Sequence, residues 1–485
     1  MKQRPWVAMV ALAAMLSACG GGGGGSPTGA TPTPSPTAAP TPTPVETGAC
    51  SLRSRQDWAL AQLREWYLFP ETLPASLDPT PYATVDDYID ALTAGARAQG
   101  RDRYFTYLTS ISDEDAFYGE GTSAGLGIRL VIDSGSHRMF VSEAFEGGAG
   151  LAAGIDRGTE IVGIGTTAAN VRNVTDIYTA DGVDGIDLAL GSNTAGTTVL
   201  LRVAAPGSST RDVFVTKSDF SLTPVSSRYG AKIIDDGGRR VGYVNLRTFI
   251  NTADGPLRDA FAGFKAQGVT DVIVDLRYNG GGLVSIAELL SDLLGGGRSS
   301  ADVVDYLTFR PEKASENSTR NFSPQPESVS PMRIAFIGTG GTASASELVI
   351  NSFVPYLHDR VALIGANTYG KPVGQIALDR SECNDRLRVI ALSVQNSARR
   401  GDYYYGLAGS MEASCQAADD IFHPLGDPAE ASTRQALNYL AGQSCTRIAS
   451  GSTGATLSLG PSEVPRTLLT PSHPDASQRQ VPGLF

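Results

Sequence analysis

The stretch Ile334-Ala335-Phe336-Ile337-Gly338-Thr339-Gly340-Gly341-Thr342-Ala343-Ser344-Ala345-Ser346-Glu347 runs from an apolar segment through a glycine-rich turn into a helical pattern. That order is expected of a buried strand that delivers a residue at its carboxyl end. Taken alone, Ser344 fits a helix cap, with Glu347 closing a capping box. The same position also exposes a hydroxyl on a tight turn, with the first helical N–H groups aimed at any oxyanion formed there. No Gly-Lys-[Ser/Thr] follows, which excludes a phosphate-binding loop.

Working outward, strands are predicted at 241–246, 272–276, 334–337, 361–364 and 388–392, with helices at 257–267, 285–294 and 344–356 between them. Such alternation predicts an α/β layer architecture over 219–446. Upstream, 122–218 is a run of short glycine-punctuated strands. Over 50–121, Trp58, Leu63, Trp66, Val85, Tyr88, Ile89 and Leu92 recur near helical spacing and predict a small helical domain. The Ser/Thr/Pro-rich end, 447–485, is expected to be a flexible tail.

The chain carries a net charge of −11, and its basic clusters, such as Arg399-Arg400, are short and isolated. A nucleic-acid partner is therefore not expected. The four histidines (137, 358, 423, 473) are scattered and no Cys-x-x-Cys occurs, so neither a metal site nor a cofactor is expected. The start, Met1-Lys2-Gln3-Arg4 followed by an apolar run to Leu16, reads as an export signal too short to span a bilayer comfortably. It ends in Leu16-Ser17-Ala18-Cys19-Gly20, which resembles a bacterial lipobox. The resemblance implies a lipoprotein signal over 1–19, cleaved so that Cys19 is lipidated and becomes the mature N-terminus, and sorting to the outer membrane, facing the periplasm. Residues 20–49, rich in Gly, Thr and Pro, offer no apolar face and read as a disordered tether with a reach of about 30 Å. Four cysteines remain: Cys50, Cys383, Cys415 and Cys445. An even number in an exported protein argues for disulfides. Three pairings exist; the favoured one joins Cys383 to Cys415 and Cys50 to Cys445.

Two further segments bear on Ser344. Lys371 lies in Tyr369-Gly370-Lys371-Pro372-Val373-Gly374-Gln375, one of only 6 lysines against 33 arginines. Arginine cannot act as a base, whereas a desolvated lysine can. Keeping an amine neutral at pH 7 costs about 4.6 kcal/mol from an ordinary pKa, so burial must lower that value. Gln375 stands where it could orient the amine. The third segment, Asp275-Leu276-Arg277-Tyr278-Asn279-Gly280-Gly281-Gly282, lets a backbone N–H of Gly281 approach a carbonyl, completing an oxyanion hole with the N–H of Ala345.

Together, Asp-Leu-Arg-x-Asn-x-Gly-Gly at 275–282, Thr-Ala-Ser-Ala-Ser-Glu at 342–347 and Tyr-Gly-Lys…Gln at 369–375 resemble the C-terminal processing (tail-specific) protease family. The resemblance implies a Clp-protease/crotonase-like core, a serine endopeptidase activity on protein substrates, Ser344 as nucleophile, Lys371 as general base and Gln375 positioning it. Ser344 and Lys371 stand two residues further apart than in the family pattern, through an insertion near 355–358. Ser346 would restore that spacing but holds the position of the motif's second serine. Over 122–218, Gly125-Leu126-Gly127-Ile128 and the later Ala153-Gly154-Ile155…Gly158-Thr159-Glu160-Ile161 resemble a PDZ domain, with Thr159 where that family usually has Asp. This implies that Gly125, Leu126, Gly127 and Ile128 bind peptide C-termini through backbone N–H groups and a free strand edge. A catalytically silent peptide-binding scaffold is the rival expectation.

Overall fold

A computed structural model describes residues 48–449 and 466–485. The expectations for the signal peptide, Cys19 and most of the tether fall outside these residues. No helix among the described residues is long and apolar enough to cross a membrane.

The centre is a six-stranded sheet in the order Ala231–Asp236, Arg239–Asn245, Asp271–Asp275, Arg333–Gly338, Val361–Gly365, Ala413–Gln416. The first pair is antiparallel and every later pair is parallel. The middle strands are apolar through their interiors, Val272–Val274, Ile334–Ile337 and Val361–Ile364, because both faces are covered. Val272, Val274, Ile334, Phe336, Val361 and Leu363 face the helices Asp254–Ala266, Val284–Leu294 and Ala345–Leu357. The alternate residues Ile273, Ala335, Ile337, Ala362 and Ile364 pack on Ala436, Leu437 and Leu440 of the helix Ala431–Leu440. The predicted α/β alternation is thus present, with boundaries within a few residues of the sequence pattern.

A second sheet lies beside it. Its long strand Asp385–Gln395 pairs with Val373–Arg380, Val303–Phe309 and Tyr107–Ser110. Through that last pairing the 50–121 segment is built into the core rather than standing apart. Ala59, Leu63, Tyr88, Ile89 and Leu92 of its helices share an apolar cluster with Val373, Leu387, Val389 and Ile390.

Residues 122–218 leave and return through the paired strands Thr122–Gly125 and Ser218–Ser221. Between them a sheet runs Ile128–Asp133, Met139–Ala144, Glu160–Gly165, Thr198–Ala204, Arg211–Thr216, with Val174–Leu190 packed on it. Arg247, just past a central strand, joins the two bodies by donating to Glu143 Oε1 (2.7 Å) and Glu146 Oε2 (2.6 Å).

Two expectations are corrected. The disulfides are Cys50–Cys383 and Cys415–Cys445. The helix Leu52–Trp66 lies across the hairpin that turns at Ser381–Cys383, where Arg380 donates to Ser54 O at 2.9 Å, so Cys50 meets Cys383. Gln416 N–H donates to Thr446 O at 2.7 Å, which sets Cys445 beside Cys415. The tail is not free over 466–485 either. Arg466–Leu468 pairs antiparallel with Ile128–Asp133, Ala476–Gln480 is a short helix, and Leu469, Val481, Leu484 and Phe485 are buried. Their apolar side chains supply the burial that the surrounding polar composition conceals.

Candidate active site

Ser344 sits at the end of the turn that leaves the central strand Arg333–Gly338, at the N-cap of the helix Ala345–Leu357, with φ of 55°. A positive φ at a non-glycine residue is strained and is held only when its surroundings over-determine it. The main restraint is Glu347, fully buried, whose carboxylate takes four donors. Oε2 accepts from the backbone N–H of Ser344 (3.0 Å) and of Lys371 (2.7 Å). Oε1 accepts from the Gly370 N–H (2.7 Å) and the Thr368 hydroxyl (2.6 Å). Burial pushes the Glu347 carboxyl up from its ordinary range, and these donors pull it back. Glu347 is therefore more than a helix cap: it ties the serine turn and the lysine loop to one carboxylate.

Despite the longer serine–lysine spacing, the backbone N–H groups of Ser344 and Lys371 reach the same Glu347 oxygen. The helix continues through Pro355 to Leu357, and a 3-10 turn, His358–Arg360, takes up the chain before the strand Val361–Gly365.

Lys371 is half-buried, and its Nζ donates to Gln375 Oε1 at 2.8 Å and lies 5.0 Å from the centroid of the Phe105 ring. Burial lowers its pKa to about 8, against an opposing pull from Asp102. Gln375 stands at a register shift between Gly374 and Gln375 in the hairpin, the kind of irregularity that re-aims a side chain. Its Nε2 donates to Phe105 O, which fixes the amide with its oxygen toward the lysine.

The turn after Asp275 faces the serine. Asn279, fully buried, donates to Leu246 O (2.8 Å), and its own carbonyl accepts from the Ala343 N–H and the Ser346 hydroxyl, both at 3.0 Å. Gly281 has φ of +120°, and a Cβ there would lie 2.9 Å from Ser344 Cβ, so only glycine fits. The Gly281 N–H donates to Asn279 Oδ1 at 2.9 Å in this state rather than into the site. The Ala345 N–H is the first of its helix, where no intrahelical acceptor exists. Ser346 is fully buried with its hydroxyl committed to Asn279, a structural role that leaves Ser344 as the reachable hydroxyl.

The Asp-Leu-Arg element is an anchor below this turn. Arg277 Nη1 and Nη2 bind the two oxygens of Glu430 at 2.8 and 2.9 Å, and its Nε reaches Asp275 Oδ1 at 3.0 Å. Burial alone would raise the Glu430 carboxyl, but the Arg277 charge overrides it and holds the pKa at about 2. Breaking such a buried pair on one side leaves an uncompensated charge.

Sequence reasoning missed the part played by 102–105. Asp102 accepts the Phe105 N–H at 2.7 Å, and Arg103 donates to Tyr369 O at 2.8 Å and Tyr404 O at 3.1 Å. This turn braces the lysine loop and presents Phe105 to Lys371 and Gln375. Its only sequence signal is the charged Arg101-Asp102-Arg103 set against Tyr104-Phe105. Among the described residues no cluster of His, Cys, Asp and Glu is arranged to hold a metal.

Residues 240–396 match the model of peptidase family S41. The chain is 27% identical over 278 residues to the chloroplastic C-terminal processing peptidase of Tetradesmus obliquus, covering 54% of each chain. It is 24% identical over 271 residues to a carboxyl-terminal-processing protease of Synechocystis sp., covering 54% of this chain and 56% of that one. The chain thus spans about half the length of these curated relatives. The solved structure of an S41-type protein from Bacteroides fragilis superposes with a TM-score of 0.62 at 21% identity, over 79% of this chain and 97% of that one, a likeness of fold.

Proposed function

We propose, from the match of residues 240–396 to the model of peptidase family S41 and the geometry around Ser344, that this chain is a serine endopeptidase that cleaves proteins by a Ser344/Lys371 acyl-enzyme mechanism. The observation that carries this reading is the single Glu347 oxygen that accepts both the Ser344 and the Lys371 N–H. It puts a strained, reachable hydroxyl and a desolvated amine on adjoining backbones.

A neutral amine has two N–H groups and one lone pair. With one N–H given to Gln375 Oε1, the lone pair is left to take the Ser344 proton as Oγ attacks the scissile carbonyl. The developing oxyanion is held by the Ala345 N–H, and the Gly281 N–H joins it only once it turns away from Asn279 Oδ1, each such donor contributing about 3 kcal/mol. The protonated Lys371 then gives its proton to the leaving amine. After the acyl-enzyme forms, the same lysine deprotonates the water that releases it. At pH 7 an amine with a pKa of about 8 is neutral in roughly a tenth of molecules, where an ordinary lysine is neutral in fewer than about one in a thousand.

The core reads as a Clp-protease/crotonase-like fold, and residues 122–218 as a PDZ domain in which Gly125-Leu126-Gly127-Ile128 holds the end of a peptide. The lipobox-like Cys19 supports an outer-membrane lipoprotein facing the periplasm, and the two disulfides are consistent with an oxidising compartment. Ser344→Ala and Lys371→Ala are each expected to abolish cleavage of an unfolded protein substrate. Full activity in Lys371→Ala overturns the mechanism.

A further inference from the structure

Residues 466–485 occupy the places a substrate would need. The last residues lie antiparallel along the edge of Ile128–Asp133: the Phe485 N–H donates to Ile128 O (2.9 Å), the Ile128 N–H to Phe485 O (3.2 Å) and the Leu130 N–H to Gly483 O (2.8 Å). Further along the same edge, Leu468 pairs with Val131 and Arg466 with Asp133. The Phe485 side chain is 1% exposed and belongs to the apolar cluster of Leu126, Ile128, Ile186 and Leu190. Backbone pairing on an open strand edge with one sunken side chain is how an added peptide strand is recognised.

The same segment then reaches the serine. The Gly280 N–H, on the loop opposite Ser344, donates to Gln480 O at 3.0 Å. A Cβ at Gly280 would meet Arg479 O at 2.8 Å, and one at Gly341, in the turn leading to Ser344, would meet Leu468 Cδ1 at 2.4 Å. Both glycine turns that flank the nucleophile are therefore covered by this one stretch of chain. Arg479 extends the cover to the far side, 3.7 Å over the Tyr107 ring. Between these fixed points the segment borders a cleft of about 740 Å³, lined by Leu108, Phe117, Thr122, Asp187 and Pro474.

We infer that the groove between Ile128–Asp133 and Val174–Leu190 takes extended polypeptides that bring a large apolar residue to the Phe485 position, and that 466–485 is an internal ligand which must leave before such a substrate enters. This rests on the peptidase reading for its consequence but not for its binding step. The chain's own sequence there, Val481-Pro482-Gly483-Leu484-Phe485, supplies the model of the preferred ligand. A protein substrate carrying a similar apolar stretch competes for the groove and, by displacing Gln480 from Gly280, opens the site to a second part of its own chain.

The test uses the full chain and two variants aimed at the segment alone. Phe485→Asp places a charge in the apolar cluster. Gly483→Val forces a β-branched residue into φ of +84°, where a Cβ would lie 2.9 Å from Leu468 Cδ2. A fluorescein-labelled peptide of residues 476–485 is titrated against each by anisotropy, and cleavage of a short reporter peptide is measured in parallel. The variants are expected to bind the labelled peptide at least tenfold more tightly than the unsubstituted chain and to cleave at least fivefold faster, with the unlabelled peptide reversing the gain. Folded variants that bind the peptide no better than the parent overturn the inference. Tighter binding with no cleavage by any form keeps the internal ligand and refutes the peptidase reading; Ser344-dependent cleavage with no peptide binding does the reverse.

Discussion

Replacing Lys371 by Met should abolish activity and yet stabilise the fold near neutral pH. Burial holds the amine at about 8 in the folded chain, against an ordinary 10.5. Below pH 8 both folded and unfolded chains carry the proton, and the buried charge then costs about 3.4 kcal/mol. Between about pH 8 and 10.5 the unfolded chain binds more proton than the folded one, so the parent gains stability as pH rises through that window. Methionine fills similar volume without the charge, but it leaves Gln375 Oε1 without its donor, a loss of about 1 kcal/mol. The variant is therefore expected to be roughly 2.4 kcal/mol more stable than the parent at pH 7. Integrating the same linkage relation, that advantage falls by about 2 kcal/mol between pH 7 and pH 9.5. Urea unfolding of both chains at the two pH values reads this directly, since every other titrating group cancels in the difference. A variant less stable than the parent at pH 7, or a difference that does not move with pH, refutes the buried neutral-amine account.

Ser346→Ala removes a buried hydrogen bond to Asn279 O and should cost about 1 kcal/mol in thermal or urea unfolding while retaining most of the activity, in contrast to Ser344→Ala. Glu347→Gln confronts four donors with an amide that has one acceptor; a loss of about 2–4 kcal/mol in urea unfolding and a fall in kcat of at least tenfold are expected. Cys50–Cys383 closes 333 residues and Cys415–Cys445 only 30. On chain entropy, Cys50→Ala/Cys383→Ala should destabilise by about 2 kcal/mol more than Cys415→Ala/Cys445→Ala, measured by unfolding of each double variant.

The parts of this molecule legible in its sequence are those set by local pattern. Val272–Val274 and Ile334–Ile337 read as buried strands because every position is covered on one face or the other. Ser344, Lys371 and Gln375 stand out as candidates through short motifs whose spacing follows from strand, turn and helix. What stayed hidden depends on contacts between distant segments. Tyr107–Ser110 pairs with Asp385–Arg388, and nothing in either stretch names the other. The disulfide partners follow from where the helix Leu52–Trp66 lies, which no cysteine spacing encodes. The tail reads as polar and loose because Leu468, Leu469, Val481, Leu484 and Phe485 are few and apart, yet they are shared among three separate apolar clusters. The apolar pair Leu484-Phe485 after a polar run was the one signal available.

A fluorophosphonate probe tests whether Ser344 is a nucleophile activated by Lys371 without any knowledge of substrate. The account predicts covalent labelling that maps to Ser344 by mass spectrometry, at a rate that rises about tenfold per pH unit below pH 8, levels off above it and collapses in Lys371→Ala. Labelling at another serine, or labelling of Ser344 at a rate indifferent to pH and to Lys371, would contradict it.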